Sequence, residues 1–234
     1  MDKDTTNKIL SEIEKGYDSV ADKFSSTRTF MWRDLDFIRD FVKPEDSILD
    51  FGCGNGRLAG YLKNKYKRYI GFDTSRKLIN IAKEKHAGDK TEFLKLDRDF
   101  QALPLENNSM DAIISIAVFH HFPGKVYRAN AAKELYRVLR PGGTAIITVW
   151  NLWQKTFWKY HFNAITQKLT GKSNLDWGDT LIPFKSNAHI FNRYHHAFRK
   201  EELVSLFGEA GFSKLKLSGG RNIAYIGRKS AVDK

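Results

Sequence analysis

Between Ile48 and Leu62 the chain passes without pause through a short apolar run, three alternate glycines and an amphipathic run. The three pieces are Ile48-Leu49-Asp50-Phe51, Gly52-Cys53-Gly54-Asn55-Gly56 and Arg57-Leu58-Ala59-Gly60-Tyr61-Leu62. Only a backbone that must come very close to a ligand needs so many missing side chains at one turn. The β-branched and leucine start reads as a buried parallel strand, and the run after the glycines reads as a helix. This confines the chain to α/β folds and places a nucleotide-type pocket at a strand-to-helix turn.

Spacing separates the two ligand classes that use such a turn. A dinucleotide fingerprint needs a small residue three places after its second glycine, but after Gly52 and Gly54 that slot is Arg57, whose side chain spoils close helix packing. The pattern D-x-G-x-G-x-G, running from Asp50 to Gly56, resembles motif I of the class I S-adenosylmethionine methyltransferases. In those enzymes the glycines admit the methionine part of the cofactor.

The rest of the chain supplies the frame for that turn. At 234 residues it has room for one elaborated α/β domain spanning 1–234, with 5–43 as an N-terminal helical cap. Apolar positions Ile9, Ile13, Tyr17, Val20 and Phe24 predict a helix over 5–24, and Leu35, Ile38, Phe41 and Val42 a second over 31–42. Strands are expected at 68–73, 91–96, 110–117 and 144–150, alternating with helices at 78–85 and 125–139. That alternation implies right-handed crossovers and a mostly parallel, Rossmann-like sheet. Residues 151–198 break the rhythm as a long aromatic and basic insertion, after which come a helix at 200–210 and strands at 213–217 and 222–228. Within the insertion, Trp158, Phe162 and Ile165 have helical spacing and are expected to pack it onto the sheet.

Composition excludes several classes. The longest apolar run, Ala112 to Phe119, is too short to span a bilayer, and the first residues lack a basic-then-apolar leader, so a soluble cytoplasmic protein without a membrane partner is expected. The single cysteine, Cys53, rules out an internal disulfide and a multi-cysteine zinc site, and its place in the glycine turn fits packing better than nucleophilic chemistry. A net charge of +12 points either to a polyanionic partner such as RNA or to a solvated lysine-rich surface.

Candidate site residues are assigned by their position in such a fold. Asp73 ends the expected second strand at the offset where an acid holds a ribose diol; the alternative for it is a helix cap. Asp50 either contacts the cofactor amine through water or holds the glycine turn. An acid after the third strand is expected at the adenine amine; Asp99, five residues before Pro104, is chosen over Asp97, with Phe100 as the adenine wall. His120 and His121 emerge where the fourth strand opens, and lack the further ligands of a zinc site, so no metal is assigned.

At this point several separated motifs agree. Phe24-Ser25-Ser26-Thr27-Arg28, Trp32, the glycine turn, Ser115-Ile116-Ala117-Val118-Phe119-His120-His121 and Arg193-Tyr194-His195-His196-Ala197-Phe198-Arg199 resemble, in this order, the tRNA wobble-uridine carboxymethyl methyltransferase family. The resemblance implies a class I methyltransferase fold, with a seven-stranded mostly parallel sheet, helices on both faces and a C-terminal antiparallel hairpin. It implies S-adenosylmethionine as cofactor, methyl transfer to a 5-carboxymethyl carboxylate in the tRNA anticodon region, and a small zinc-binding activator protein as partner. Tyr17, Asp50, Gly52, Gly54, Asn55, Asp73, Thr74, Asp99, Phe100 and Ile116 then fall to the cofactor, and Arg28, His120, His121 and Arg193 to the acceptor carboxylate. Arg28 has the cofactor carboxylate, and Arg193 a phosphate, as the other reading. The chain departs from the family at Met31 and Arg33, at His195, and at Arg221-Asn222-Ile223, which leaves the base substituent open. A small-molecule methyltransferase and an S-adenosylmethionine-dependent RNA-binding module without turnover are the competing functions.

Overall fold

Apolar residues follow one another almost without a break along the inner strands, so each of these strands feeds two cores. In a computed structural model that describes residues 1–185 and 190–231, β1 (Ser47–Phe51), β2 (Arg68–Asp73), β3 (Thr91–Lys95), β4 (Met110–Ile116) and β5 (Leu139–Trp150) lie parallel. Residues 186–189, inside the aromatic and basic insertion, and 232–234 lie outside the described residues. Leu49, Phe51, Ile70, Phe72, Ile113 and Ile147 face one way, against α5 (Lys125–Val138) and α7 (Lys200–Glu209). Ile48, Tyr69, Ile114 and Ile146 face the other, against α3 (Arg57–Tyr61) and α4 (Arg76–His86). A strand side chain alternates with period two, so a sheet covered on both faces must be apolar at every step.

The described strands include a seven-stranded sheet in the order β3-β2-β1-β4-β5-β9-β8, where β8 (Ser213–Gly219) and β9 (Asn222–Arg228) form the antiparallel end. The expected class I architecture is therefore present, terminal hairpin included. Chain order reverses between β1 and β4, and the crevice beyond the carboxyl ends of such strands is where α/β sheets bind ligands.

Three expectations need correction. The helix predicted over 5–24 is two helices, α1 (Lys3–Ser19) and α2 (Ala21–Ser26). The break falls at Val20, whose amide turns back to Tyr17 O at 3.3 Å while the Ser19 hydroxyl donates to Gly16 O at 2.7 Å. The segment read as a helix over 31–42 winds as a 3₁₀-helix, Arg33–Phe41. Its apolar residues Leu35, Ile38 and Phe41 recur every third position, the repeat that a 3₁₀-helix stacks on one edge. The insertion carries α6 (Trp158–Leu169) and then an antiparallel strand pair, β6 (Asp179–Lys185) with β7 (Ile190–His196). The helical spacing in α6 is real, but its face is reversed. Trp158, Phe162 and Ile165 are 58%, 75% and 45% exposed, and Phe157 and Tyr160 pack on Leu152, Ile182 and Ala197 instead.

The hairpin is held at two places. Phe191 and Tyr194 of β7 bury themselves with Ile9, Ile13 and Val20, so that β7 lies across α1. Gly16 makes this approach possible, because a Cβ there would stand 2.1 Å from the Phe191 ring. At the hairpin base, His196 is bonded to Asp179 and to Glu202, both at 2.7 Å, and Glu202 lies 3.9 Å from buried Arg128. Burial alone would lower the His196 pKa, but the bonds to Asp179 and Glu202 carry it above its ordinary 6.5.

These anchors generate two predictions. Gly16→Ala gains about 1 kcal/mol in helix propensity, yet overpacks Phe191 at a cost of about 1–3 kcal/mol, so the variant is expected to melt a few degrees below the parent in a calorimetric scan. His196 contributes stability that is complete below pH 6.5 and lost as pH rises through its raised folded value. Asp50, pushed to about 7 by burial, adds a fall of the same sign, confined between its ordinary 3.8 and that value. Urea unfolding should therefore show stability declining as pH rises above 6.5 in the parent, and a flatter profile in His196→Gln once pH has passed the value of about 7 at which the Asp50 contribution ends.

Candidate functional site

Sterics at the glycine turn build the floor of the site. Gly52, Gly54 and Gly56 all have positive φ, at 81°, 55° and 75°, a region that costs other residues about 1–2 kcal/mol each. A Cβ on Gly52 would stand 2.2 Å from Val118, so the missing side chain lets the β1 turn meet the end of β4. The amides of Gly52 and Cys53 both donate to Phe72 O, at 2.8 and 2.9 Å, and that of Gly54 donates to Asp73 Oδ2 at 2.8 Å. With those amides spent on β2, the glycines supply room more than anion-binding donors. Cys53 is buried with its sulfur 2.9 Å from where a Cβ on Gly71 would stand, and burial pushes its thiol well above the ordinary 9.0. It packs the turn, as expected.

Above this floor is a cavity of about 900 Å³, open mouth included, at the topological switch point. Gly52, Gly54, Asp73, Thr74, Phe100 and Ile116 line it, as do Tyr17, Arg28, His120, His121 and Arg193. Asp73 accepts from Gly54 N and, at 2.9 Å, from Ser75 N, while the Ser75 hydroxyl caps α4. A carboxylate has about four acceptor sites, so two remain free to face a diol. Among the described residues Asp73 is the one acid in the lining, and burial raises its pKa against those two amide bonds.

Other assignments move. Asp50 does not line the cavity; it is buried under the turn with the Tyr69 hydroxyl bonded to it, the placement that goes with holding the turn. Asn55 is also behind the wall, donating to Ser25 Oγ at 3.2 Å and to Arg28 O at 3.1 Å, where it ties the turn to α2. Asp99 and Asp97 are both exposed and outside the lining. Phe100 turns its ring inward against Phe51 and Tyr127, and the short turn that does this leaves the preceding carboxylates in solvent. Arg57, read from sequence only as an obstacle to helix packing, lines the cavity with its guanidinium 4.5 Å from the Trp32 ring centre. Trp150 and Tyr127 line it too, and nothing in their spacing marked them.

The far wall is a histidine and arginine cluster whose protons can be placed. Trp150 N–H donates to His120 Nδ1 at 3.2 Å, which puts the proton of the neutral ring on Nε2, a buried atom without a partner among the described residues. His121 Nδ1–H donates to Tyr194 O, and its Nε2 accepts from the Tyr17 hydroxyl, both at 2.8 Å. His195 donates from Nδ1 to Arg193 O at 2.9 Å and stacks on Trp150 and His120. Burial, then the charge of Arg193, lowers His121 to about 3, and burial with the neighbouring rings takes His120 well below 6.5. Ring nitrogens of His120, His121 and His195 approach within 4.8 Å of one another, but both nitrogens of His121 and Nδ1 of His120 are committed to hydrogen bonds. The cluster is arranged as a hydrogen-bonded wall.

Arg193 is 5% exposed, stacks on Trp150 and Phe184, and has no carboxylate within ion-pair distance among the described residues. Burial lowers the Arg28 pKa, and Arg193 and Arg221 lower it further. Ala117, beside them in the lining, has φ 60°, with its amide bonded to Thr148 O and Oγ1. Strain of that kind persists only where surroundings enforce it, and it collects at functional sites.

Comparison with known proteins identifies the family and the fold. Residues 49–147 match the methyltransferase domain family. The Encephalitozoon cuniculi protein named putative methyltransferase ECU09_1500 is 30% identical over 204 residues, spanning 87% of this chain and 88% of that protein. The mouse tRNA (carboxymethyluridine(34)-5-O)-methyltransferase ALKBH8 is 41% identical over 145 residues, 61% of this chain. The chain spans 20% of the length of that mouse protein and 35% of the Arabidopsis thaliana protein of the same activity. In fold it is similar to a SAM-dependent methyltransferase from Methanosarcina mazei, with TM-score 0.67, 22% identity and coverage of 86% and 99% of the two chains. It is also similar to a Haloferax volcanii complex of a methyltransferase with its Trm112 activator, with TM-score 0.66, 17% identity and coverage of 95% and 99%. Among the described residues, no helix is long and apolar enough to cross a membrane.

Gly52→Ala tests the floor. The added carbon meets Val118 and strains the turn, so the affinity for S-adenosylhomocysteine, measured by titration calorimetry, is expected to fall at least about tenfold from that of the parent.

Proposed function

The chain belongs to the S-adenosylmethionine-dependent methyltransferases, and from that premise we propose that it esterifies the carboxylate of a 5-carboxymethyl-type uridine at the tRNA wobble position. The observation that carries this reading is Arg193: a buried cation facing the cavity without an acidic partner among the described residues. Burying a charge unpaired is costly, and the counter-charge that suits this one is an anionic acceptor. The mouse and Arabidopsis relatives, named for carboxymethyluridine 34, support the choice of anion.

The cavity fits the cofactor. The glycine floor has the room a side chain would fill, Asp73 keeps acceptor sites for a ribose diol, and Phe100 and Ile116 offer apolar walls. When bound, S-adenosylmethionine supplies a methyl group on a sulfonium, open to in-line attack by a nucleophile. The protein has little proton chemistry to do, because a carboxylate of ordinary pKa near ~4 is already ionised at neutral pH. His121, lowered to about 3, is a poor base there, and its work is to fix Tyr17 and the β7 backbone. Arg193 and Arg28 hold the acceptor carboxylate by charge-assisted bonds, and His120, whose Nε2–H is sealed from the cavity, packs behind them against Trp150 and His195. Aromatic walls from Phe24, Trp32 and Trp150 exclude water, and the reacting groups gain from being held in line. An activator protein, small and zinc-binding as the family resemblance implies, belongs to the same proposal; the Haloferax protein similar in fold is bound to a Trm112 activator, and co-purification with the chain is the check.

Nucleoside mass spectrometry of tRNA incubated with the protein should reveal a base-labile methyl on the wobble uridine. Methyl found only on free carboxylate metabolites would sink the reading in favour of a small-molecule enzyme. Because no base is required, kcat/KM should stay flat from pH 6 to 9. Arg193→Ala should lower it by roughly 10–100-fold, the worth of one lost charge-assisted bond, and Arg193→Lys by less.

A further inference from the structure

Arg221 lies outside the cavity lining, where the cleft opens into a second groove. That groove shares Arg28, Trp32 and Trp150 with the cavity and continues past Gln154 and Phe157 to Arg221 and Asn222. Arg221 stands in the turn between β8 and β9, and its carbonyl is fixed by bonds from Asn151 N and Gln154 Nε2, both at 3.2 Å. The side chain is exposed and has no carboxylate within ion-pair distance among the described residues. The acid on this rim, Asp34, is engaged by Asn222 Nδ2 at 2.9 Å. The opposite rim comes from a stretch with no acidic residue between Leu135 and Leu175.

Arg193, Arg28 and Arg221 therefore form a cationic track that starts inside the cleft and ends at its lip. The charges are close enough that Arg193 and Arg221 both depress Arg28, after burial itself. One acceptor carboxylate satisfies the inner end of such a track and leaves the outer end open. Beside the outer end stand flat rings, Trp32, Trp150 and Phe157, which suit an unstacked base. We propose that this groove holds the nucleotide next to the acceptor base, with Arg221 on the phosphodiester that joins them. The proposal rests on the RNA reading of the acceptor and adds to it where the strand leaves the pocket.

The test uses the intact chain and three probes: 5-carboxymethyluridine nucleoside, a uridine trinucleotide with that group on its central base, and the unmodified trinucleotide. The parent should methylate the modified trinucleotide with a kcat/KM about tenfold above that of the nucleoside, the size of effect one charge-assisted phosphate bond gives. In Arg221→Gln that advantage should fall below about threefold, and Arg221→Lys should restore most of it. An equal loss on nucleoside and trinucleotide, or an unchanged advantage, overturns the proposal. If neither modified probe accepts methyl, the acceptor reading has failed on its own, and binding of the unmodified trinucleotide still decides the groove. Its affinity for the parent bound to S-adenosylhomocysteine should drop with salt, with a log–log slope shallower by about 0.7 in Arg221→Gln. An unchanged slope, or no binding to the parent, overturns the proposal as well.

Discussion

The close approach of the β1 turn to the ends of β2 and β4 governs everything else in the cleft. One carbonyl, Phe72 O, accepts two successive amides from the turn, and the next amide aims Asp73. The packing works only because side chains are missing at Gly52 against Val118 and at Gly71 against Phe93 and Cys53. Asp50 completes the support from below, bonded to Tyr69 and pushed to about 7 by burial. The glycine turn is thus less a ligand-binding loop in its own right than the piece that orients the carboxylate beside it.

Electrostatics then divides the cleft into unlike ends. The floor carries the carboxylate of Asp73, while the roof carries Arg28 and Arg193 over rings that are neutral for a physical reason. Burial and neighbouring arginine charge keep His120 and His121 unprotonated, so they act as fixed donors and acceptors. A low-dielectric pocket with unmatched guanidinium groups favours an anion, and its lowered His120 and His121 are poor bases for activating a neutral nucleophile. Chemistry that needs alignment alone is the natural match.

How much of this could be read from sequence depended on the range of the interaction. The strand rhythm and the glycine turn were legible because each is a pattern among neighbouring residues, and the place of Asp73 because it ends the strand next after that turn. The ring of Phe100 was legible and the carboxylate of Asp99 was not, since which of two neighbours faces inward depends on how tightly the turn from Asp97 closes. Asn55 looked like a ligand residue from its motif, yet its partners Ser25 and Arg28 lie far back in the chain. In α6 the spacing of Trp158, Phe162 and Ile165 fixed a helix and a stripe, but a stripe does not say which neighbour covers it. Arg57 shows the reverse case: a side chain judged by what it prevents turned out to stack on Trp32 and face the cavity.

Among the described residues the hairpin that brings Arg193 to the cleft forms its own two-stranded sheet, tied to α1 through Gly16 and Phe191, to His121 through Tyr194 O and to Glu202 through His196, while Asp73 and the glycine turn belong to the main sheet. The two ends of the pocket are therefore inherited on separate pieces of polypeptide. Substitutions along β6 and β7 can accumulate without disturbing the register of β1 and β2, so this architecture can drift toward new acceptors while its donor end stays constant. His195, stacked on His120 and Trp150 and tilted against His121, belongs to the hairpin's end of the pocket in this sense.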